Sequence, residues 1–240
     1  MRRAGAVVGK LLTFLAPRVA PGIKTKELDR AAAEFIRSHG AKPAFLGYRG
    51  FPATICVSIN DEVVHGIPGE RVIRPGDVVS IDAGAVVDGF YGDAAVTVAV
   101  GDVDPKVQRL IDVTRASLDE AIALATPVNR LSDLSHAVQE VVERAGFSVV
   151  RDFVGHGIGR AMHEEPAIPN YGEPNRGPRL KPGMVLAIEP MVTMGRWDVE
   201  VLADGWTAVT TDHSLAAHFE HTVAITEDGP EILTKCPSDE

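Results

Sequence analysis

LDRAAAEFIRSHG, residues 28–40, and LSHAVQEVVERAG, residues 134–146, carry one pattern twice, 106 positions apart. In the first, Leu28, Ala31, Ala32, Phe35 and Ile36 fall at the i, i+3, i+4, i+7, i+8 spacing that gathers apolar side chains on one helical face. Leu134, Ala137, Val138, Val141 and Val142 repeat it. Gly40 and Gly146 end the two patterns as helix stops, and Pro21 and Pro127 precede them at the same offset. Another helical pattern lies in front of each, over residues 2–16 and 105–125, and alternating apolar positions with Gly turns follow both. Chance likeness between two amphipathic helices is the simpler alternative, but the matched Pro and Gly positions favour duplication. The expectation is an α+β fold: a single domain over residues 1–240, with pseudo-repeat halves at about 1–103 and 104–240 and a cleft between them.

At 240 residues and 45% hydrophobic, the chain is long enough to bury one sizeable core. A net charge of −9 argues against nucleic acid or an anionic membrane as the main partner. Cys56 and Cys236 are the two cysteines, far apart in sequence, so no disulfide framework is implied and a cytoplasmic location suits them. The N-terminal MRRAGAVVGKLLTFLAPRV has the Arg pair and apolar run of a signal peptide. Lys10 interrupts that run, however, and no segment reaches transmembrane length, so residues 2–16 read as a core-facing helix.

Five metal-compatible side chains stand in unusually apolar or Gly-rich strings: Asp82 in VVSIDAG, Asp93 in FYGDAAV, His156 in VGHGIGR, Glu189 in VLAIEPMV and Glu220 in AHFEHTVAIT. A carboxylate in a buried strand costs several kcal/mol to keep ionised without a partner, and these strings hold almost no Lys or Arg. A pair of divalent cations would satisfy all five. VVSIDAGAVVDGFYGDAAVTVAV reads as a hairpin turning at Asp88-Gly89. In that register Asp93 faces position 84, so Asp82 and Asp93 share a face as a diagonal cross-strand pair. Pro190 interrupts pairing beside Glu189 and favours a rim position. The glycines of GHGIG read as a loop that lets the backbone approach a ligand at His156. Four carboxylates and one imidazole make a hard site suited to Mn, Fe(II), Co or Zn, which activate water and polarise a carbonyl oxygen, the chemistry of amide or ester hydrolysis. His65 and His163 are candidate proton donors or orienting groups. His39, His136, His213, His218 and His221 read as surface residues or as groups behind the ligands.

The strings SINDEVVHGIP, SIDAGAVVDGFYGDAA, VGHGIGRAMHEEPAIPNYG, LKPGMVLAIEPMV and FEHTVAIT resemble those of the methionine aminopeptidases, over nearly the whole chain. The resemblance implies the pita-bread (creatinase/aminopeptidase) fold, two pseudosymmetric α+β halves around a dimetal cleft, and removal of the initiator methionine from nascent polypeptides. Glu189 and Glu220 lie 31 positions apart, without room for the helical insertion of the type II enzymes, so type I is the better match. The ligand order falls on Asp82, Asp93, His156, Glu189 and Glu220. Asp93 and Glu220 are implied to bridge two ions, Asp82 to hold the ion that receives the substrate amine, and His156 with Glu189 to hold the other. Glu189 is also implied to shuttle a proton, His163 to contact the scissile amide, and His65 to steady the leaving group. The methionine slot is implied at Phe45, Tyr48, Phe51, Cys56, His65, Met162, His163 and Trp206, a shape-selective site for a thioether. Phe45 is bulky and Met162 non-aromatic for their positions, departures that touch the volume of the slot. The chain starts inside its first helix pattern, which implies a shortened lead-in, and no zinc-finger extension precedes it, as in bacterial-type enzymes. A monomer is expected; a ribosome contact is left open. Prolidases and Xaa-Pro aminopeptidases share the ligand set but usually carry a further N-terminal domain, and GYRGFP with Trp206 favours methionine. A pita-bread module that binds peptides without metal would have lost ligands, and here all five stand.

Overall fold

The computed structural model describes residues 1–235, so Cys236 lies outside the described residues. The repeated apolar spacing becomes two helix pairs: α1 (Arg2–Leu15) with α2 (Thr25–Ser38), and α3 (Pro105–Ala123) with α4 (Leu131–Arg144). The second helix of each pair starts by the same device. The Lys24 N–H donates to Glu27 Oε2 at 2.8 Å, and the Arg130 N–H to Asp133 Oδ2 at 2.7 Å, each satisfying a donor that a helix start leaves orphaned. Both end ahead of a left-handed glycine, Gly40 at φ 69° and Gly146 at φ 83°. Even the single bridges Lys24↔Val72 and Arg130↔Arg179 match. The sequence repeat is thus a repeat of local structure.

Between the helix pairs lie β1 (Lys42–Pro43), β2 (Ile55–Ile59), β3 (Glu62–Val64), β4 (Val78–Val87) and β5 (Phe90–Ala99). After α4 come β6 (Ser148–Val149), β7 (Gly155–Gly157), β8 (Glu164–Ile168), β9 (Val185–Ile188) and β10 (Met191–Thr193). The chain continues through β11 (Val199–Val201), β12 (Ala208–Thr210), β13 (Ala216–His218), β14 (Glu220–Thr226) and β15 (Gly229–Ile232). Nine of these form one antiparallel sheet in the order β1-β4-β5-β14-β9-β7-β8, with β2 also on β4 and β15 on β14. Two small sheets, β13-β10-β6 and β11-β12-β3, complete the strands. Strand β5, ahead of the second helix pair, joins β14, beyond it, through Glu220↔Ala95 and His221↔Ala94.

The large sheet has two unlike faces, because side chains alternate along a strand. Ile81, Ala83 and Ala85 of β4, with Ala94 of β5, pack against Val8, Leu11 and Leu12 of α1. Leu186, Ile188, Val223 and Ile225 pack likewise against Leu110, Leu118, Leu134 and Val138 of the second helix pair. Burial of each Val, Leu or Ile among these stabilises by about 1.5–3 kcal/mol, so the helix-covered face anchors the fold. The opposite face carries the polar residues.

Candidate metal centre and its cleft

The register of the large sheet collects the five candidate ligands on that second face. Asp82 pairs Ala95, and Ala95 pairs Glu220. Asp93 lies two residues before Ala95 and opposite Gly84, with the turn at Asp88 and Gly89, both at positive φ, as the hairpin reading expects. Thr222 pairs Ala187, and Ala187 pairs His156. Glu189 stands two residues after Ala187, just beyond the end of β9. Paired residues share a face and so do residues two apart, which carries Asp82, Asp93, Glu220, His156 and Glu189 to one side of the sheet.

One candidate ligand atom each from Asp93, His156 and Glu220 lies within 4.8 Å of the others. His156 Nε2 is 3.6 Å from Glu189 Oε1 and 3.9 Å from Asp93 Oδ2. The other ring nitrogen, Nδ1, is 2.9 Å from the Gly157 carbonyl, which accepts its proton and leaves the Nε2 lone pair facing the carboxylates. Asp82 Oδ1, Asp93 Oδ1 and Glu220 Oε1 are buried without a hydrogen-bond partner. Burial, then mutual repulsion, drives the carboxyls of Asp93, Glu189 and Glu220 well above their ordinary range. Burial pushes Asp82 from 3.8 to about 7, which corresponds to about 4 kcal/mol against the charged form. Burial likewise lowers His156 to about 4, so its imidazole is neutral and free to ligate. Buried oxygens without donors, and carboxyls that resist ionisation in the bare protein, fit a site whose missing partner is a hard divalent cation.

Other threads fix the backbone under these groups. Thr222 Oγ1 donates to the Asp93 carbonyl at 2.7 Å and accepts from its N–H at 3.0 Å, joining β14 to β5 where direct pairing stops. Thr97 does the same for His218, donating to its carbonyl at 2.7 Å and accepting from its N–H at 2.9 Å. His218 is buried with Nε2 3.7 Å from Glu189 Oε2, behind the ligands as expected. Burial lowers its imidazole to about 3. Asn170 Nδ2 donates to the Glu189 carbonyl at 3.0 Å. Thr97, Asn170 and Thr222 escaped the sequence reading, although position 97 shares the i, i+2 phase of Asp93 and Ala95, and position 222 that of Glu220. His221, expected at the surface or behind the ligands, is half-buried, with Nδ1 2.9 Å from Thr234 Oγ1.

The carboxylates open into a cavity of about 140 Å³. Every side chain expected in the methionine slot lines it. Phe45, Phe51, Cys56 and Met162 form a buried apolar cluster with Tyr48 and Trp206 packed on it. The bulk of Phe45 is accommodated by Gly84, where a Cβ would come within 2.7 Å of the Phe45 ring. Phe51 meets Trp206 edge-on at 5.1 Å, and the His65 ring stands edge-on to Trp206 at 6.3 Å and to Phe153 at 5.4 Å. His65 holds φ 61°, a left-handed backbone in which a side-chain-bearing residue is strained, and burial lowers its imidazole to about 4. The His163 ring lies 4.1 Å from the His156 ring between centroids, tilted by 38°, and its Nδ1 is 2.9 Å from the Tyr48 hydroxyl. Burial, then the positive charge of Arg49, lowers the His163 imidazole. Arg49 also lines the cavity and was not anticipated, although it stands inside the GYRGFP loop.

The reading of GHGIG is corrected. Residues 155–157 form strand β7, not a loop, and a Cβ on Gly155 or Gly157 would come within 2.5 Å of the Ala187 oxygen or 2.2 Å of the Glu165 oxygen. These glycines let neighbouring strands close on His156; approach to a ligand is not what requires them. Glu220 opens strand β14.

The sequence model of metallopeptidase family M24 matches residues 1–227. A methionine aminopeptidase of Clostridium perfringens is 55% identical over 98% of this chain and 94% of its own length. The crystal structure of methionine aminopeptidase from Thermotoga maritima superposes with a TM-score of 0.97 at 51% identity, covering 98% of this chain and 95% of that one. A prolidase from Pyrococcus furiosus matches with a TM-score of 0.79 at 25% identity, covering 98% of this chain and 62% of that longer one. The architecture is the pita-bread fold these proteins share, and between Glu189 and Glu220 it holds strands β10 to β13 without an inserted helix. The chain belongs to metallopeptidase family M24 and, within it, to the methionine aminopeptidases of type I.

Proposed function

We propose that this protein is a metallo-exopeptidase that removes the N-terminal methionine of nascent proteins and peptides. The observation that carries the reading is a cluster of buried, donor-poor carboxylates with one neutral imidazole at the floor of a small apolar slot. Asp82, Asp93, His156, Glu189 and Glu220 would hold two divalent ions, with Mn, Fe(II), Co and Zn all compatible with the donor set. When bound, such ions supply a hydroxide-strength nucleophile from water and polarise the scissile carbonyl. Asp93 and Glu220 would stand between the two ion positions, Asp82 on one side, and His156 with Glu189 on the other.

The chain's own groups carry the remaining work. The slot walled by Phe45, Phe51, Cys56, Met162 and Trp206 holds an unbranched thioether by shape and dispersion. Glu189, ionised beside a bound cation, would take a proton from the attacking water and return it to the leaving nitrogen. Tyr48, by donating its O–H to His163 Nδ1, leaves Nε2–H of that ring to donate to the scissile amide. His65, edge-on to Trp206 in the same cavity, would steady the departing group. The whole chain acts as one catalytic domain, as a monomer and in the cytoplasm; no helix among the described residues is long and apolar enough to cross a membrane.

The test compares a Met-Gly peptide with an Ala-Pro peptide, using chelator-stripped protein before and after Mn²⁺ or Co²⁺ is added. Metal-restored release of methionine alone is expected. Release from the Ala-Pro peptide would move the same residues to a proline-directed enzyme, and bound metal without cleavage of either would overturn the reading.

A further inference from the structure

A row of flat groups runs from the metal centre to the mouth of the cavity. The His156 and His163 rings are 4.1 Å apart, His163 and Tyr48 5.3 Å, and the Arg49 guanidinium carbon lies 5.4 Å from the Tyr48 ring. Arg49 is the one Lys or Arg lining this cavity among the described residues, and it is exposed. It makes no ion pair with any described carboxylate: its contact is with the Tyr48 ring. Its backbone sits at φ 49° between Gly47 at φ 83° and Gly50 at φ 92°, an arrangement a side-chain-bearing residue rarely holds. Glu164 is turned elsewhere: its carboxylate accepts from the Ala161 N–H at 2.8 Å and, with Glu165, lines a different cavity beside Arg160.

The buried end of the cavity is acidic and its exposed side carries a cation without a carboxylate partner among the described residues. Resting on the aminopeptidase reading, we propose that Arg49 is a specificity-determining residue that favours peptides bearing a carboxylate two or three residues beyond the bond cut. An extended peptide advances about 3.3 Å per residue, so the steps from His163 to Arg49 correspond to about two to three residues. The carboxylate has two sources, an Asp or Glu side chain or the free C-terminus of a short peptide. A guanidinium presents the same fork of donors to either.

Two sets of peptides test this by kcat/KM for methionine release. The first is long and amidated, Met-Ala-Ala-Xaa-, with Glu, Gln or Lys at the fourth position; the second is Met-Ala-Ala with a free or an amidated C-terminus. Wild type should favour Glu over Gln by about two- to five-fold, the worth of an exposed ion pair, and disfavour Lys, with both effects shrinking in high salt. Arg49→Lys should keep the order, Arg49→Gln should level it and Arg49→Glu should invert it. These side chains meet the same left-handed backbone, so the variants differ in charge at equal strain, and equal Tm values would verify it. Response in the first set assigns the site to side chains, and in the second to chain termini. An order that Arg49→Glu leaves unchanged in both sets overturns the proposal while leaving the aminopeptidase reading intact. A wild type that releases methionine from no peptide overturns both.

Discussion

Stripped of divalent ions, this protein should lose stability relative to its loaded form as pH rises towards neutrality. Asp82 is pushed up to about 7 by burial, and Asp93, Glu189 and Glu220 well above their ordinary values by burial and then by neighbouring carboxylates. In the unfolded chain all four ionise near pH 4. A carboxyl whose folded pKa is raised contributes stability that is fully present below the unfolded value and is lost as pH rises through the folded one. Between about pH 5.5 and 7 the stripped, folded protein therefore keeps a proton on Asp82 that the unfolded chain has released, and the other three carboxyls are displaced in the same direction. Each retained proton costs about 1.4 kcal/mol per pH unit, or about 2 kcal/mol across the window. In a chain of this length that is about 4–8 °C in Tm per retained proton. His65, His156 and His218 are shifted the other way, to about 4, 4 and 3, so their contribution falls away below about pH 6.5 and opposes the carboxyls, equally in stripped and loaded protein. The assay is thermal unfolding of stripped and Mn²⁺-loaded protein at half-unit steps from about pH 5.5 to 7. Loaded protein, its carboxylates ionised in both states, should lack the carboxyl slope, so the Tm gap between the two should widen as pH rises. A gap that stays constant over the window would refute the co-burial of these carboxyls.

Asp93→Ala should abolish turnover while raising the Tm of the stripped protein, because it removes both a ligand and one of four mutually repelling carboxyls; unchanged turnover would sink the site assignment. His163→Ala should lower kcat by about 10²-fold, the scale of a positioned proton donor, with metal content unchanged by elemental analysis. Lost metal would instead make His163 a ligand. Tyr48→Phe, which removes the partner of His163 Nδ1, should cost about three- to ten-fold in kcat/KM, the worth of one hydrogen bond. Gly84→Ala places a Cβ within 2.7 Å of the Phe45 ring and should raise KM for methionyl peptides several-fold by narrowing the slot, at a cost in stability of about 1–3 kcal/mol. Steady-state kinetics with a Tm measurement separates the two effects.

The sequence by itself determined the helix pairs, their repeat and the hairpin that carries Asp82 and Asp93. These are properties of local spacing: a 3.6-residue apolar period, a Gly stop, and a two-residue turn that sets register for every residue after it. It also marked all five candidate ligands, because a carboxylate in an apolar strand is conspicuous wherever that strand packs. Local spacing is silent about which strands become neighbours. The pairing of β5 with β14 brings Glu220 within reach of Asp93 across 127 positions, and β7 beside β9 sets His156 against Glu189. That pairing is decided by burial of the opposite face against both helix pairs. It also decides why Gly155 and Gly157 must lack side chains, which the sequence reading ascribed to a ligand. Thr97, Asn170 and Thr222 were missed for the same reason: a hydroxyl or amide inside a strand-like run carries no local sign that its partner is the backbone of a distant ligand. Composition and periodicity reveal what each segment must bury, and only the closed sheet decides what each buried polar group will face.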